Sequence, residues 1–217
     1  MIKNTLSNKI EKMQSRDDKK IRDYIGASII GSDCPRQIWY EFKGYQAEEV
    51  PTKIRRTWEI GKKIEELILN WLTLSGISII RDWDELIAEG MPFFKGNLDA
   101  VWMKKDKPFA IIEVKTAKDS SFNVFIKKGV KMWNPQYYAQ IQAYMGMSGI
   151  FSAYILVLNK DNSDISDELV SYDKDFYETL REKALMIYNA NVEPARINGS
   201  PLWYKCKMCK FNKICHK

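Results

Sequence analysis

Glu113 and Lys115 stand two residues apart in AIIEVKTAK, residues 110–118 of this 217-residue chain. Ala110, Ile111, Ile112 and Val114 read as a strand buried on both faces. Side chains two apart in a strand share one face of its sheet, so the carboxylate and the ammonium point the same way. One hairpin earlier, GNLDAVW carries Asp99. If the two strands pair, Asp99 and Glu113 lie side by side, and close carboxylates repel unless one is protonated or a cation sits between them. A hard ion such as Mg2+ or Mn2+ takes one or two carboxylates, keeps several waters and leaves room for a substrate phosphate. Lys115, on the same face, would then contact the attacking water or the scissile phosphate. The plainer reading is an internal ion pair, or a strand whose end reaches solvent.

The elements that must position these groups are legible in outline. Residues 53–75 predict the clearest helix, with Trp58, Ile60, Ile64, Leu67, Ile68, Trp71 and Leu72 forming one apolar stripe. After Gly76, ISIIRDWDELIA, FFKGNLDAVWMK and FAIIEVKTA read as three successive strands, with turns at Glu89–Pro92 and Lys104–Pro108. Residues 118–133 are lysine-rich, contain a glycine, show no clear period and read as a loop. NPQYYAQIQAYMGMSG is a helix with Asn134 as its cap and Pro135 at its first position. FSAYILVLN and DELVSYD follow as strands, and DKDFYETLREKALMIYNAN as an amphipathic helix. The order predicts an α/β core with a mixed central sheet flanked by helices. Residues 1–24 read as a helix or arm ahead of a single domain spanning 25–217.

Cys206, Cys209 and Cys215 lie close together, and Cys34 lies far upstream, before Pro-Arg. Four thiolates suit a metal ion or a cluster, with Zn2+ and 4Fe–4S both open. Lysines interleave the last three, which argues against their burial as plain apolar residues. The only histidine, His216, follows Cys215 directly, so a catalytic cysteine would lack a base.

Asp99, Glu113 and Lys115 resemble the D…E-x-K core of the PD-(D/E)XK nuclease superfamily, although Leu98 stands where its proline would be. G-K-K-I-E in the 53–75 helix resembles the first motif of RecB-like members, which makes Glu65 a third metal ligand, with Glu59 and Glu66 as fallbacks. Gln140 and Tyr144 in QIQAY match the Q-x-x-x-Y motif of the same group. At i and i+4 they share one side of their helix. The one-plus-three cysteines resemble the iron–sulphur staple of RecB-like nucleases, including AddB-type nuclease domains and the small Cas-four-type nucleases of CRISPR adaptation. The resemblance implies a restriction-endonuclease-like core and Mg2+ or Mn2+ held by Glu65, Asp99, Glu113 and the backbone carbonyl of Val114. It further implies a 4Fe–4S cluster on Cys34 and a subdomain at 203–217, tying the two ends of the chain together.

Charge points the same way. Basic residues exceed acidic by 34 − 28 = 6. From Lys104 to Lys131 eight lysines face three acids, and from Pro201 onward five lysines face none. Clusters of one sign suit a polyanion. Lys118, Lys127, Lys128 and Lys131 are the candidate DNA contacts, with Phe122, Phe125 and Trp133 as stacking platforms for unpaired bases. The expected activity is a metal-dependent exonuclease on single-stranded DNA, in recombination, repair or CRISPR adaptation, with a helicase or adaptation protein as partner. A catalytically silent DNA-binding scaffold and a sequence-specific restriction-type endonuclease are the rival readings. MIKNTLSNKIEKMQSRDDKK lacks an apolar core and no window resembles a membrane span, so a cytoplasmic location is expected.

Overall fold

The computed structural model describes residues 5–14 and 22–217. In chain order its first elements are α1 (Thr5–Gln14), β1 (Ile25–Gly26), α2 (Ala27–Ile30), α3 (Pro35–Phe42) and α4 (Thr52–Leu74). There follow β2 (Ile79–Ile80), β3 (Leu86–Ala88), β4 (Met91–Gly96), β5 (Ala100–Lys104) and β6 (Lys107–Ala117). The chain continues through α5 (Asp119–Trp133), α6 (Pro135–Ser148), β7 (Ser152–Asn159), β8 (Ile165–Ser171) and α7 (Lys174–Asn189). It ends in two single turns, α8 (Tyr204–Lys207) and α9 (Asn212–Cys215). The rest of the expected 1–24 arm, outside α1 and 22–24, lies outside the described residues.

β6 is covered on both faces, as its composition predicts. It pairs antiparallel with β5 and parallel with β7, and α5 and α6 make the crossover between the parallel strands. Ile112 and Val114 pack with Ala100 and Leu158 beneath Ile68 and Leu69 of α4. On the other face Ile111 and Ala117 join the main core with α6 and α7, through Ile141, Ala143, Leu180 and Ile187. This five-stranded sheet runs β2-β5-β6-β7-β8.

The three expected strands before α5 are in fact five, divided between two sheets. β3 and β4 join β1 in a second sheet of order β1-β4-β3, while β2, β5 and β6 stay in the first. The chain changes sheets across Asn97, Leu98 and Asp99. A Cβ at Gly96 would lie 2.6 Å from Tyr144 Cε1 and 2.9 Å from Ala27 Cβ, so only glycine admits the ring at this corner.

Residues 118–133 are not a loop. They form α5, whose Phe122, Phe125 and Val130 are buried, with a break at Gly129 (φ 70°). Glu168 fills the break: its Oε2 accepts from Val130 N–H at 2.6 Å. The glycine and paired lysines that suggest a loop instead mark a junction between two helical pieces. α4 also differs from expectation. Only Ile68 and Leu69 are buried, while Trp58, Ile60, Leu67 and Trp71 are exposed.

α6 starts as its sequence predicts. The Asn134 side chain accepts from the backbone N–H of Gln136 and Tyr137 at 3.1 and 3.3 Å, and Gly149 closes the helix in the left-handed region. Asn134→Ala should lower the unfolding free energy by about 1 kcal/mol, measured as a reduced urea midpoint with unchanged slope.

Candidate active site

The β5–β6 register pairs Val101 with Ile111 and Ala100 with Ile112, and one further step brings Asp99 opposite Glu113. Asp99 is held there by Val114 N–H, which donates to its Oδ2 at 2.8 Å. Lys115 Nζ donates to Glu113 Oε1 on the same face of β6 and stands 5.0 Å from the centre of the Tyr137 ring. Glu113 is 1% exposed, and its second oxygen, Oε2, is buried without a hydrogen-bond partner. Such an oxygen costs stability unless something outside the chain satisfies it.

The surrounding charges explain the electrostatics. Burial, then the charge of Asp99, pushes Glu113 up to about 8 in spite of Lys115. Burial raises Asp99 as well. On α4, burial and the Asp99 charge push Glu65 up to about 7. Lys115 is held well above its usual value by Glu113 and Asp99, against its burial, and stays a cation. Three carboxyls thus gather around one ammonium, and burial with mutual repulsion favours the protonated form of Glu113 at neutral pH. The fallback carboxylates are engaged elsewhere: Glu59 accepts from Gln14 at 3.1 Å, and Glu66 pairs with Lys63 at 2.8 Å.

Gln140 and Tyr144, buried one turn apart on α6, are joined by a 2.8 Å hydrogen bond from Gln140 Nε2 to Tyr144 Oη. Burial, together with the Glu113 charge, keeps the Tyr144 phenol protonated. Beside Tyr144 opens a pocket of about 210 Å³ lined by Arg22, Ser28, Lys95 and Asn97. Sequence reasoning missed these polar residues. Asn97, two before Asp99, had a signal in its spacing, but Arg22 reaches the pocket only through the second sheet's packing.

The expected DNA contacts are exposed, but two of the expected stacking platforms are not. Lys118, Lys127 and Lys128 are exposed. Lys131 is exposed as well and also lies over the Tyr138 ring at 4.9 Å. Phe122 and Phe125 are 6% and 3% exposed, and Trp133 Nε1 donates to Ser121 Oγ at 2.8 Å. Phe122 and Phe125 anchor α5 and are not base platforms, because an amphipathic helix turns them into the core, while Trp133 is half-buried beside Phe125.

Cys34, Cys206, Cys209 and Cys215 line one cavity of about 400 Å³ at the opposite end of α6, with Arg36, Asn134 and Gln136. Burial raises the Cys206 and Cys209 thiols, and the charges of Cys34 and Cys215 raise both further. Phe211 N–H donates to Cys209 Sγ at 3.5 Å, and Arg36 Nη1 to Cys215 Sγ at 3.9 Å. Among the described residues no three Cys, His, Asp or Glu are arranged to hold a single metal ion.

Residues 22–150, more than half of the chain, match the model of the YqaJ-like viral recombinase domain. The chain belongs to this family. The match takes in Cys34, Glu65, Asp99, Glu113, Lys115, Gln140 and Tyr144, and stops before the last three cysteines. No curated protein matches the sequence. Among solved structures, the YqaJ-like chain is similar to an alkaline exonuclease, LHK-Exo, from Laribacter hongkongensis. That pair is 13% identical, covers 83% of this chain and 90% of the other, and has a TM-score of 0.60. The protein SSO0001 is 20% identical over 99% of this chain and 96% of its own, with a TM-score of 0.58. A phage related exonuclease from Haemophilus somnus 129PT is 17% identical over 70% and 77%, at 0.52. At these identities the likeness is of fold, and it agrees with a mixed α/β core of sheets flanked by helices. No helix among the described residues is long and apolar enough to cross a membrane.

The raised carboxylates make metal-free stability depend on pH. A carboxyl with a folded value above its unfolded one binds its proton more tightly in the fold, so its stabilisation is complete below the usual carboxylate range and fades as pH rises through the folded value. In EDTA the unfolding free energy should therefore fall between pH 6 and pH 8.5, by about 2 kcal/mol, carried mainly by Glu113. Urea titrations should show the fall, and Glu113→Gln should flatten it.

Proposed function

We propose that this YqaJ-like domain is a metal-dependent DNA exonuclease acting in recombination. The observation that carries the reading is the trio Asp99, Glu113 and Lys115 at the β5–β6 edge, with the unpartnered Glu113 Oε2. Oxygen donors of this kind suit a hard divalent ion, which needs only one or two carboxylates when waters complete its shell; the three carboxylates do not converge on one point as they stand. Asp99, Glu113, Glu65 and the Val114 carbonyl would hold Mg2+ or Mn2+, which when bound makes hydroxide available near neutral pH and draws charge from the phosphate.

The chain's own groups supply the rest. Lys115, cationic throughout, holds the attacking water and stabilises the negative charge that develops on phosphorus. Tyr137 and Glu113 fix its ammonium. Tyr144, kept protonated, donates its O–H toward the carboxylate cluster or a phosphate oxygen, while Gln140 fixes the phenol. Arg22, Lys95 and Asn97 line the adjoining pocket with donors suited to the DNA backbone. The exposed Lys118, Lys127 and Lys128 extend that electrostatic attraction along α5.

Two fold neighbours, an alkaline exonuclease and a phage related exonuclease, support end-directed cleavage over a restriction-type endonuclease. The family's description as a viral recombinase domain favours recombination over CRISPR adaptation. A helicase partner is part of the proposal only if duplex DNA is the substrate. The four cysteines, converging on one cavity and receiving N–H donors at two sulphurs, are proposed as the ligands of a 4Fe–4S cluster, with Zn2+ as the alternative. It would be structural, joining Cys34 at the start of α3 to the terminal turns α8 and α9.

Linear DNA labelled at either end, incubated with Mn2+ or EDTA, tests the activity. Cleavage should require metal, shorten the strand from an end and fall by about 10² or more in Lys115→Ala. DNA binding with no metal-dependent cleavage would leave the silent scaffold as the reading. Protein purified without oxygen should contain about four irons per chain, lost in Cys206→Ser; zinc in the same stoichiometric analysis would replace the cluster.

A further inference from the structure

We propose that Trp58 is the stacking platform for an unpaired base of the strand being cleaved. The inference rests on the nuclease reading and gives that site a substrate preference. Ile64 is the first apolar residue of α4 to pack against the sheet's cluster, and none from Thr52 to Lys63 is buried, so this first half of the helix runs past the sheet that Ile68 and Leu69 sit upon. Trp58, 61% exposed, is the largest apolar side chain on that projecting half. It lies seven residues before Glu65, two turns away on the same helical face, about 10 Å along the axis. Lys62 lies between them on this face, close enough to act on the Glu65 carboxyl.

The face therefore presents an aromatic ring, a cation and a carboxylate of the proposed metal site in that order. A single strand presents a base, a phosphate and the scissile phosphate in matching sequence. About 10 Å is about three stacked nucleotide steps. The opposite side of α4 is taken by α1: Arg56 pairs with Glu11 at 3.4 Å and Gln14 donates to Glu59 at 3.1 Å. Trp58 lies away from both. A nucleobase fits it because stacking needs only one open aromatic face and no particular base. Paired bases in a duplex do not offer that face.

Fluorescence anisotropy with oligothymidylate in Ca2+ tests the assignment, with one abasic residue walked inward from each end. For wild type, one abasic position should weaken binding about tenfold. Trp58→Ala should bind intact oligonucleotide about tenfold more weakly and show no abasic dependence, while Trp58→Phe restores most of both. Thermal unfolding of Trp58→Ala should match wild type, and cleavage in Mn2+ should show a raised KM with kcat kept. Unchanged affinity and abasic profile in Trp58→Ala would overturn the platform while leaving the nuclease reading intact. Equal weakening for single strands and blunt duplex would also overturn it. Wild type that binds no DNA would overturn both readings.

Discussion

The structure depends on the cost of burying Glu113. A carboxylate shut off from water inside a central strand is tolerated only with compensation, and Lys115 supplies half of it by occupying one oxygen. Asp99 makes matters worse by adding a second negative charge opposite, fixed by the Val114 amide. Apolar residues of similar size would pack this position more stably. An arrangement that keeps one buried carboxyl, a half-buried one opposite it and one unpartnered oxygen costs stability at this point of the fold. That unmet cost is what supports the proposal of a cation at this point.

Everything around the pair fixes where that cation and a phosphate could sit. The chain crosses between sheets at Asn97–Asp99, which lets Asp99 face β6 while Gly96, just before it, receives the Tyr144 ring. α6 threads the whole arrangement. Its first residues, with the Asn134 cap, line the cysteine cavity, and its middle carries Gln140 and Tyr144 to the carboxylates. A rigid helix of this kind couples the positions of the two ends without any moving part. Anything that orders the cysteine cavity also fixes the start of α6, and through it the phenol at the site.

The parts of this plan visible in the sequence are those written in local chemistry. The apolar run around Glu113, the two-residue spacing to Lys115, the Asn-Pro start of α6 and the Gln140–Tyr144 pair each carry a signal within a few residues. What was hidden depends on partners far along the chain. The lysines and Gly129 of α5 read as a loop because the Glu168 carboxylate that fills the break comes from β8. The division into two sheets was hidden because FFKGNLDAVWMK alternates through the corner as if it were one strand. Arg22 belongs to the pocket only through packing of the second sheet.

α4 shows why periodicity alone misjudges function. Its apolar residues recur at helical spacing, and the natural inference is a stripe facing the core. The sheet meets one side of the helix from Ile64 onward, and only Ile68 and Leu69 are buried. An amphipathic helix longer than its support must expose part of its apolar face, at a cost of about 25 cal/mol for each Å² left in water. Polar residues there would avoid the cost, and α1 shields only the opposite side of the projecting half. The overhang stands in line with Glu65 and the carboxylate cluster, so its exposed ring is placed where a strand entering the site must pass. A helix built only to cover the sheet could have begun two turns later.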